Sequence, residues 1–130
     1  MSNSFLPTAV RLHKSDGSLT LAWPDGTEYR LSGEYLRVFS PSAEVRGHGP
    51  GQEVLQHGKK GVGVTEVVAA GNYALTLHFS DGHDTGIYTW QYLHELCVEQ
   101  QQRWDDYLAR LHDAGKTRDP HASVVKLVQP

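Results

Sequence analysis

Hydrophobic and polar positions alternate along the first third of the chain. In residues 9–14, Val10 and Leu12 share one face, with Arg11 and His13 on the other. That two-residue period predicts a half-buried strand. Ser15-Asp16-Gly17 follows as a turn, its glycine free to take positive φ. Residues 18–23 alternate again, with Leu19, Leu21 and Trp23 inward. Pro24-Asp25-Gly26-Thr27 is a second turn, Pro pre-setting its first corner. Residues 28–31 make a third strand, with Tyr29 and Leu31 inward. Three short strands joined by tight turns predict an antiparallel meander that buries one face.

The pattern then changes. Residues 34–39 are amphipathic and fit a helical turn or a brief strand, and Ser40-Pro41-Ser42-Ala43 breaks them. Residues 40–63 hold Gly47, Gly49, Gly51, Gly58, Gly61 and Gly63, together with Arg46, His48, His57, Lys59 and Lys60. A long glycine-rich loop in a small domain predicts mobility or partner contact, and its deletion is expected to leave folding nearly intact. Gly58-Lys59-Lys60-Gly61 lacks the hydroxyl of a phosphate loop and leads into a strand rather than a helix.

Order returns at Val62. Val62, Val64, Val67 and Val68 begin a strand ending near Gly71. Tyr73, Leu75, Leu77 and Phe79 line one face of the next, and residues 86–88 continue the sheet. Thr89 is a good helix N-cap. From Trp90 to about Ala114, Leu93, Cys97, Trp104, Leu108 and Leu111 recur at helical spacing, and Gly115 is a natural stop. The expected fold is α+β: a small antiparallel sheet of meander and hairpin, one long C-terminal helix packed on it, and a glycine-rich loop. Residues 1–7 read as a flexible N-terminus, 8–115 as one domain and 116–130 as a tail. The tail is polar until Val124-Val125-Lys126-Leu127-Val128, an apolar patch that either docks on the domain or meets another chain.

Composition narrows the functional classes. The chain has 130 residues, a net charge of −3 with His neutral, and one cysteine. It offers no basic stripe for nucleic acid and no run long enough to cross a membrane. A single Cys97 excludes a disulfide framework and a thiolate metal cage. With no signal-peptide pattern at the N-terminus, a cytoplasmic location is expected.

The turn of Asp81, His83 and Asp84, with His78 just before it, is where chemistry is most concentrated. A histidine beside carboxylates serves as a general base or a metal ligand. The plainer reading makes Asp81-Gly82 a hairpin turn, with His83 bonded to local backbone. Cys97 falls on the apolar helix face, as a small core residue.

Three pieces of sequence together resemble the gamma-butyrobetaine hydroxylase-like N-terminal domain family, formerly a domain of unknown function. They are Trp23-Pro24-Asp25-Gly26, the stretch Leu36-Arg37-Val38-Phe39-Ser40-Pro41-Ser42-Ala43-Glu44-Val45, and Gly71-Asn72-Tyr73-Ala74 through Asp81-Gly82-His83 to Ile87-Tyr88-Thr89-Trp90. The resemblance covers about residues 8–97 and looks like the family's standalone bacterial kind. In the hydroxylases of the family, three thiolates and a histidine hold a structural zinc. The resemblance places those ligands at Ser40, Ser42, Val45 and His83, where only the histidine is kept. It implies a vestigial site, a fold that closes without zinc and no resident cofactor. At this length the hydroxylases' catalytic domain is not expected, so the chain reads as no enzyme.

The function expected is therefore a non-catalytic interaction or accessory module. By resemblance its partner is an iron–sulfur carrier or another metalloprotein. The contact residues expected are Arg37, Arg46, His48, His57, Lys59, Lys60, Asp81, His83 and Asp84. One alternative is weak metal binding by His83 with His48 or His57. The other is an enzyme with its site at the Asp81/His83/Asp84 turn.

Overall fold

A computed structural model of the chain describes residues 6–47, 49 and 51–121. His48 and the patch 124–128 lie outside the described residues. Strands β1 (Ala9–His13), β2 (Ser18–Ala22) and β3 (Glu28–Leu31) form the expected antiparallel meander. Strands β4 (Val64–Ala70), β5 (Ala74–Phe79) and β6 (Ile87–Thr89) form a second, separate antiparallel sheet. The single sheet expected from the alternation is thus two sheets of three strands. Alternation predicts strands, not which sheet they join.

Helix α1 (Gly33–Val38) settles the ambiguous segment as helix, because Ser32 caps it by accepting from the Tyr35 N–H. It joins the sheets through its buried face. Leu36 and Tyr35 lie with Leu19, Leu21 and Leu31 of the first sheet and Leu75, Leu77, Phe79 and Tyr88 of the second in one core. Glycine permits the closest crossing. A Cβ on Gly17 or on Gly33 would stand 2.5 Å from the Gly63 Cα, so three chain segments meet where no side chain fits.

The long C-terminal helix divides in two. α3 (Trp90–Val98) starts under the Thr89 cap, whose hydroxyl accepts from the Tyr92 N–H. α4 (Gln100–Ala114) ends at Gly115 in the left-handed conformation. Glu99, at φ −99° and ψ 17°, is the joint. The bend reconciles two surfaces. α3 buries Leu93, Leu96 and Cys97 in the main core, whereas α4 turns Tyr107 and Leu111 onto Val38 with Trp104, Phe39 and Leu55 alongside. Leu108, assigned to the apolar stripe by spacing, is exposed as a result. Tyr73 is also exposed, at 57%, because it sits in the turn before β5 and Ala74 takes the inward place.

Residues 40–63 are not a free loop. They contain a short helix, α2 (Ala43–Arg46), and are tied down beyond it. The Gln56 carbonyl accepts from the Tyr107 hydroxyl at 2.8 Å, the Gly58 N–H donates to the Thr117 carbonyl, and the Lys60 N–H to that of Arg118. Arg118 in turn clamps Glu34 of α1 with two hydrogen bonds of 2.8 Å. Gly47, Gly51, Gly58 and Gly61 take positive φ and make tight bends here. Deleting the segment would expose the second core cluster, which corrects the expectation that folding is indifferent to it.

Candidate functional site

The turn between β5 and β6 aims His83 inward. The Asp81 carboxylate accepts from the His83 N–H at 3.2 Å, and the Phe79 N–H donates to the His83 carbonyl. The imidazole enters the interior and meets the segment that joins α1 to α2. Its Nε2 lies 2.8 Å from the Ser40 Oγ and 3.4 Å from the Ser42 Oγ, and its Nδ1 lies 3.2 Å from a Glu44 carboxylate oxygen. Gly86 leaves room for this, since a Cβ there would come within 2.5 Å of the Ser40 Oγ.

Donor roles follow from the partners. A carboxylate only accepts, so in the neutral ring Nδ1 carries the proton and Nε2 accepts from the Ser40 hydroxyl. Ser40 then accepts from the Ser42 N–H at 3.3 Å. Burial holds the His83 pKa below its ordinary value, the nearby Arg37 charge adds to this, and Glu44 opposes it. The expectation that His83 bonds only local backbone is corrected: its ring closes a long-range knot.

A second cluster adjoins the first. Arg37 donates to Asp81 at 2.9 Å and to the Gln56 side chain at 3.1 Å, and Lys59 donates to the same Asp81 oxygen at 2.9 Å. Partial burial alone would raise the Asp81 carboxyl. Hydrogen bonds from Lys59, the His83 backbone and Arg37 outweigh it and hold the group at about 2.

The residues singled out from sequence thus separate. Arg37 is buried and serves as an internal strut, not a surface contact. Asp81, His83 and Asp84 do not converge on one point: Asp84 faces His78, at 3.9 Å. Arg46, His57 and Lys60 are exposed. Among the described residues no group of three or more His, Cys, Asp or Glu side chains is arranged to hold a metal ion. Cys97 is buried, and burial pushes its thiol up to about 11, which makes it inert.

Sequence reasoning missed a cleft of about 680 Å³ beside the knot. The end of α1, residues 45–47, 49 and 53–56, and helices α3 and α4 line it. Phe39, Tyr92 and Tyr107 line it. The Arg46 guanidinium lies 4.8 Å from the Tyr92 ring centre, and that of Arg103 lies 5.6 Å from Phe39 and 5.7 Å from Tyr92. Arg110 lines the same space. One trace was present in the sequence: Arg103, Tyr107 and Arg110 recur at helical spacing on one face.

The family model for gamma-butyrobetaine hydroxylase-like proteins, N-terminal, matches residues 10–94. The chain belongs to this family. The match spans Ser40, Ser42, Val45 and His83, so the knot lies within the gamma-butyrobetaine hydroxylase-like N-terminal domain. It stops before α4, so Arg103, Tyr107 and Arg110 of the cleft lie beyond it. Two structures solved by NMR in solution are similar over nearly the whole chain. One is 54% identical with a TM-score of 0.79, covering 95% of this chain and 97% of its own. The other is 44% identical with a TM-score of 0.74, covering 88% and 85%. A crystal structure from Acidithiobacillus ferrooxidans ATCC 23270, of a protein with unknown function in the DUF971 family, is 41% identical. Its TM-score is 0.61, and the match covers 74% of this chain and 97% of that one. No curated protein matches the chain. No helix among the described residues is long and apolar enough to cross a membrane.

Proposed function

We propose that this protein is a non-catalytic accessory module that binds a protein partner through the cleft between α2 and α4. One contrast carries the reading. Ser40, Ser42, Asp81 and His83 are taken up by internal bonds, whereas the cleft presents Phe39, Tyr92 and guanidiniums. Resemblance makes an iron–sulfur carrier, or another metalloprotein, the first partner to test.

Tagged protein captured anaerobically from its native cell extract, followed by reconstitution with the purified candidate, tests the reading. A stoichiometric complex that re-forms from pure components supports it. Recovery of the protein alone, with no candidate binding in reconstitution, counts against it.

A second reading rests on Ser40, His83 and Glu44, which stand in the order nucleophile, base and orienting carboxylate. Ser40 is only 1% exposed, so no substrate carbonyl reaches its hydroxyl. Ester turnover that Ser40→Ala abolishes would establish this reading against the first.

A further inference from the structure

Taking the cleft as a partner-binding surface, we infer that it receives an acidic segment of the partner that also carries an aromatic or large apolar side chain. Charge is the first argument. The chain as a whole is acidic, with a net charge of −3, yet the cleft gathers three guanidiniums against the carboxylates of Glu53 and Glu95. Arg103 is engaged by Glu99 at 2.9 Å. Arg46 and Arg110 have no carboxylate partner among the described residues.

The state of Arg46 is the second argument. Its guanidinium carbon lies over the Tyr92 ring, 4.8 Å from the centre, a cation–π contact that restrains the group. The N–H edge remains, and no acceptor takes it up among the described residues. A pre-ordered guanidinium edge matches a carboxylate with two parallel hydrogen bonds. Its ordering is already met within the fold, so less freedom is lost on binding.

The lining is the third argument. Phe39, Leu55 and Tyr92 are half-buried in the lining and Val54 is exposed there, over a floor of the buried Val38, Val45 and Tyr107. A small inorganic anion would satisfy the guanidiniums and leave this apolar surface wet. A ligand using the whole lining joins a carboxylate to an apolar side chain a few ångströms away, as an acidic–aromatic peptide does. Nucleic acid fits poorly, because the rings that would stack bases already carry guanidiniums.

The test uses the full chain, 15N-labelled, and three probes: a fluorescent peptide of alternating glutamate and phenylalanine, the same peptide with lysine for glutamate, and free glutamate. The acidic peptide is expected to shift the amides of Arg46, Tyr92, Arg103 and Arg110, and to bind more weakly as salt rises. Arg110→Glu is expected to weaken it by about tenfold or more without changing the thermal unfolding curve. Arg46→Lys, which keeps the charge and loses the planar edge, is expected to weaken it less than Arg46→Glu. Equal binding of the lysine peptide, shifts confined to other surfaces, or unchanged affinity in both glutamate variants would overturn the assignment. So would free glutamate reproducing all the shifts, since that marks a small-anion site. A purified partner that binds wild type and Arg110→Glu alike would leave the accessory-module reading standing and remove this one.

Discussion

Ser40 and His83, on opposite sides of the fold's two-sheet seam in sequence, are joined by a hydrogen bond of 2.8 Å that both residues bury. This bond pins the α1–α2 connection to the β5–β6 turn. Its partners have few alternatives, because Ser40 is 1% exposed and His83 9%.

Removing the ring should therefore cost more than a surface substitution. His83→Ala is expected to destabilise the fold by about 1–3 kcal/mol, the penalty of an unmet buried hydroxyl with its lost contacts. His83→Gln, which can still accept from Ser40, should cost less. Urea unfolding of the two variants measures this, and equal midpoints with wild type would refute it.

The same ring sets a pH dependence. Its folded pKa lies below the ordinary 6.5, so the unfolded chain takes up the proton more readily. The stability it contributes is fully present above that ordinary value and is lost as pH falls through it to the lower folded value. Burial, then Arg37 and Lys59, disfavour the imidazolium, and Glu44 and Asp81 favour it without prevailing. Unfolding midpoints between about pH 8 and pH 5 should fall more steeply in wild type than in His83→Gln. Asp81 acts in a more acid window: its contribution is present above the ordinary 3.8 and is lost as pH falls toward about 2.

Asp81 also holds a buried cation. The Arg37 side chain is 9% exposed, and Asp81→Asn leaves it without its charged acceptor. The expected cost is about 2–3 kcal/mol, as for hydrogen bonds to charged groups. Lys59→Ala removes the more exposed partner and should cost less than about 1 kcal/mol. Comparing both by denaturant unfolding checks the ranking.

If the knot occupies the place of the metal implied by resemblance, thiolates should recreate that site. Ser40→Cys, Ser42→Cys and Val45→Cys together, with His83 retained, are expected to bind one zinc per chain and raise the melting temperature on loading. Cobalt substitution would report tetrahedral thiolate coordination in its absorption. No binding by the folded triple variant would show that the three positions do not converge on His83.

Local features were legible in the sequence. Asp16-Gly17, Asp25-Gly26 and Asp81-Gly82 marked their turns, and Thr89 and Gly115 the helix ends, because each acts through its own backbone. Glu99 was not legible as a joint. No proline or glycine marks it, and the bend arises from two different packing surfaces. The Ser40–His83 bond and the Arg46–Tyr92 contact join residues far apart in sequence, which periodicity does not reveal. The resemblance had gathered Ser40, Ser42, Val45 and His83 as a set, whereas their chemistry in the folded chain came from burial and from Glu44. The tether of Gln56 to Tyr107 was hidden by the glycine content around it.

The hydroxyl-and-imidazole knot changes what the fold is vulnerable to. A thiolate cluster fails when its metal is scavenged or when peroxide converts sulfur to sulfenic acid. Ser40, Ser42 and His83 contain no sulfur, and the single thiol of the sequence is sealed in the core. The cleft beside the knot should therefore keep its shape through oxidative stress and metal starvation, conditions in which a zinc-stapled counterpart would lose its own.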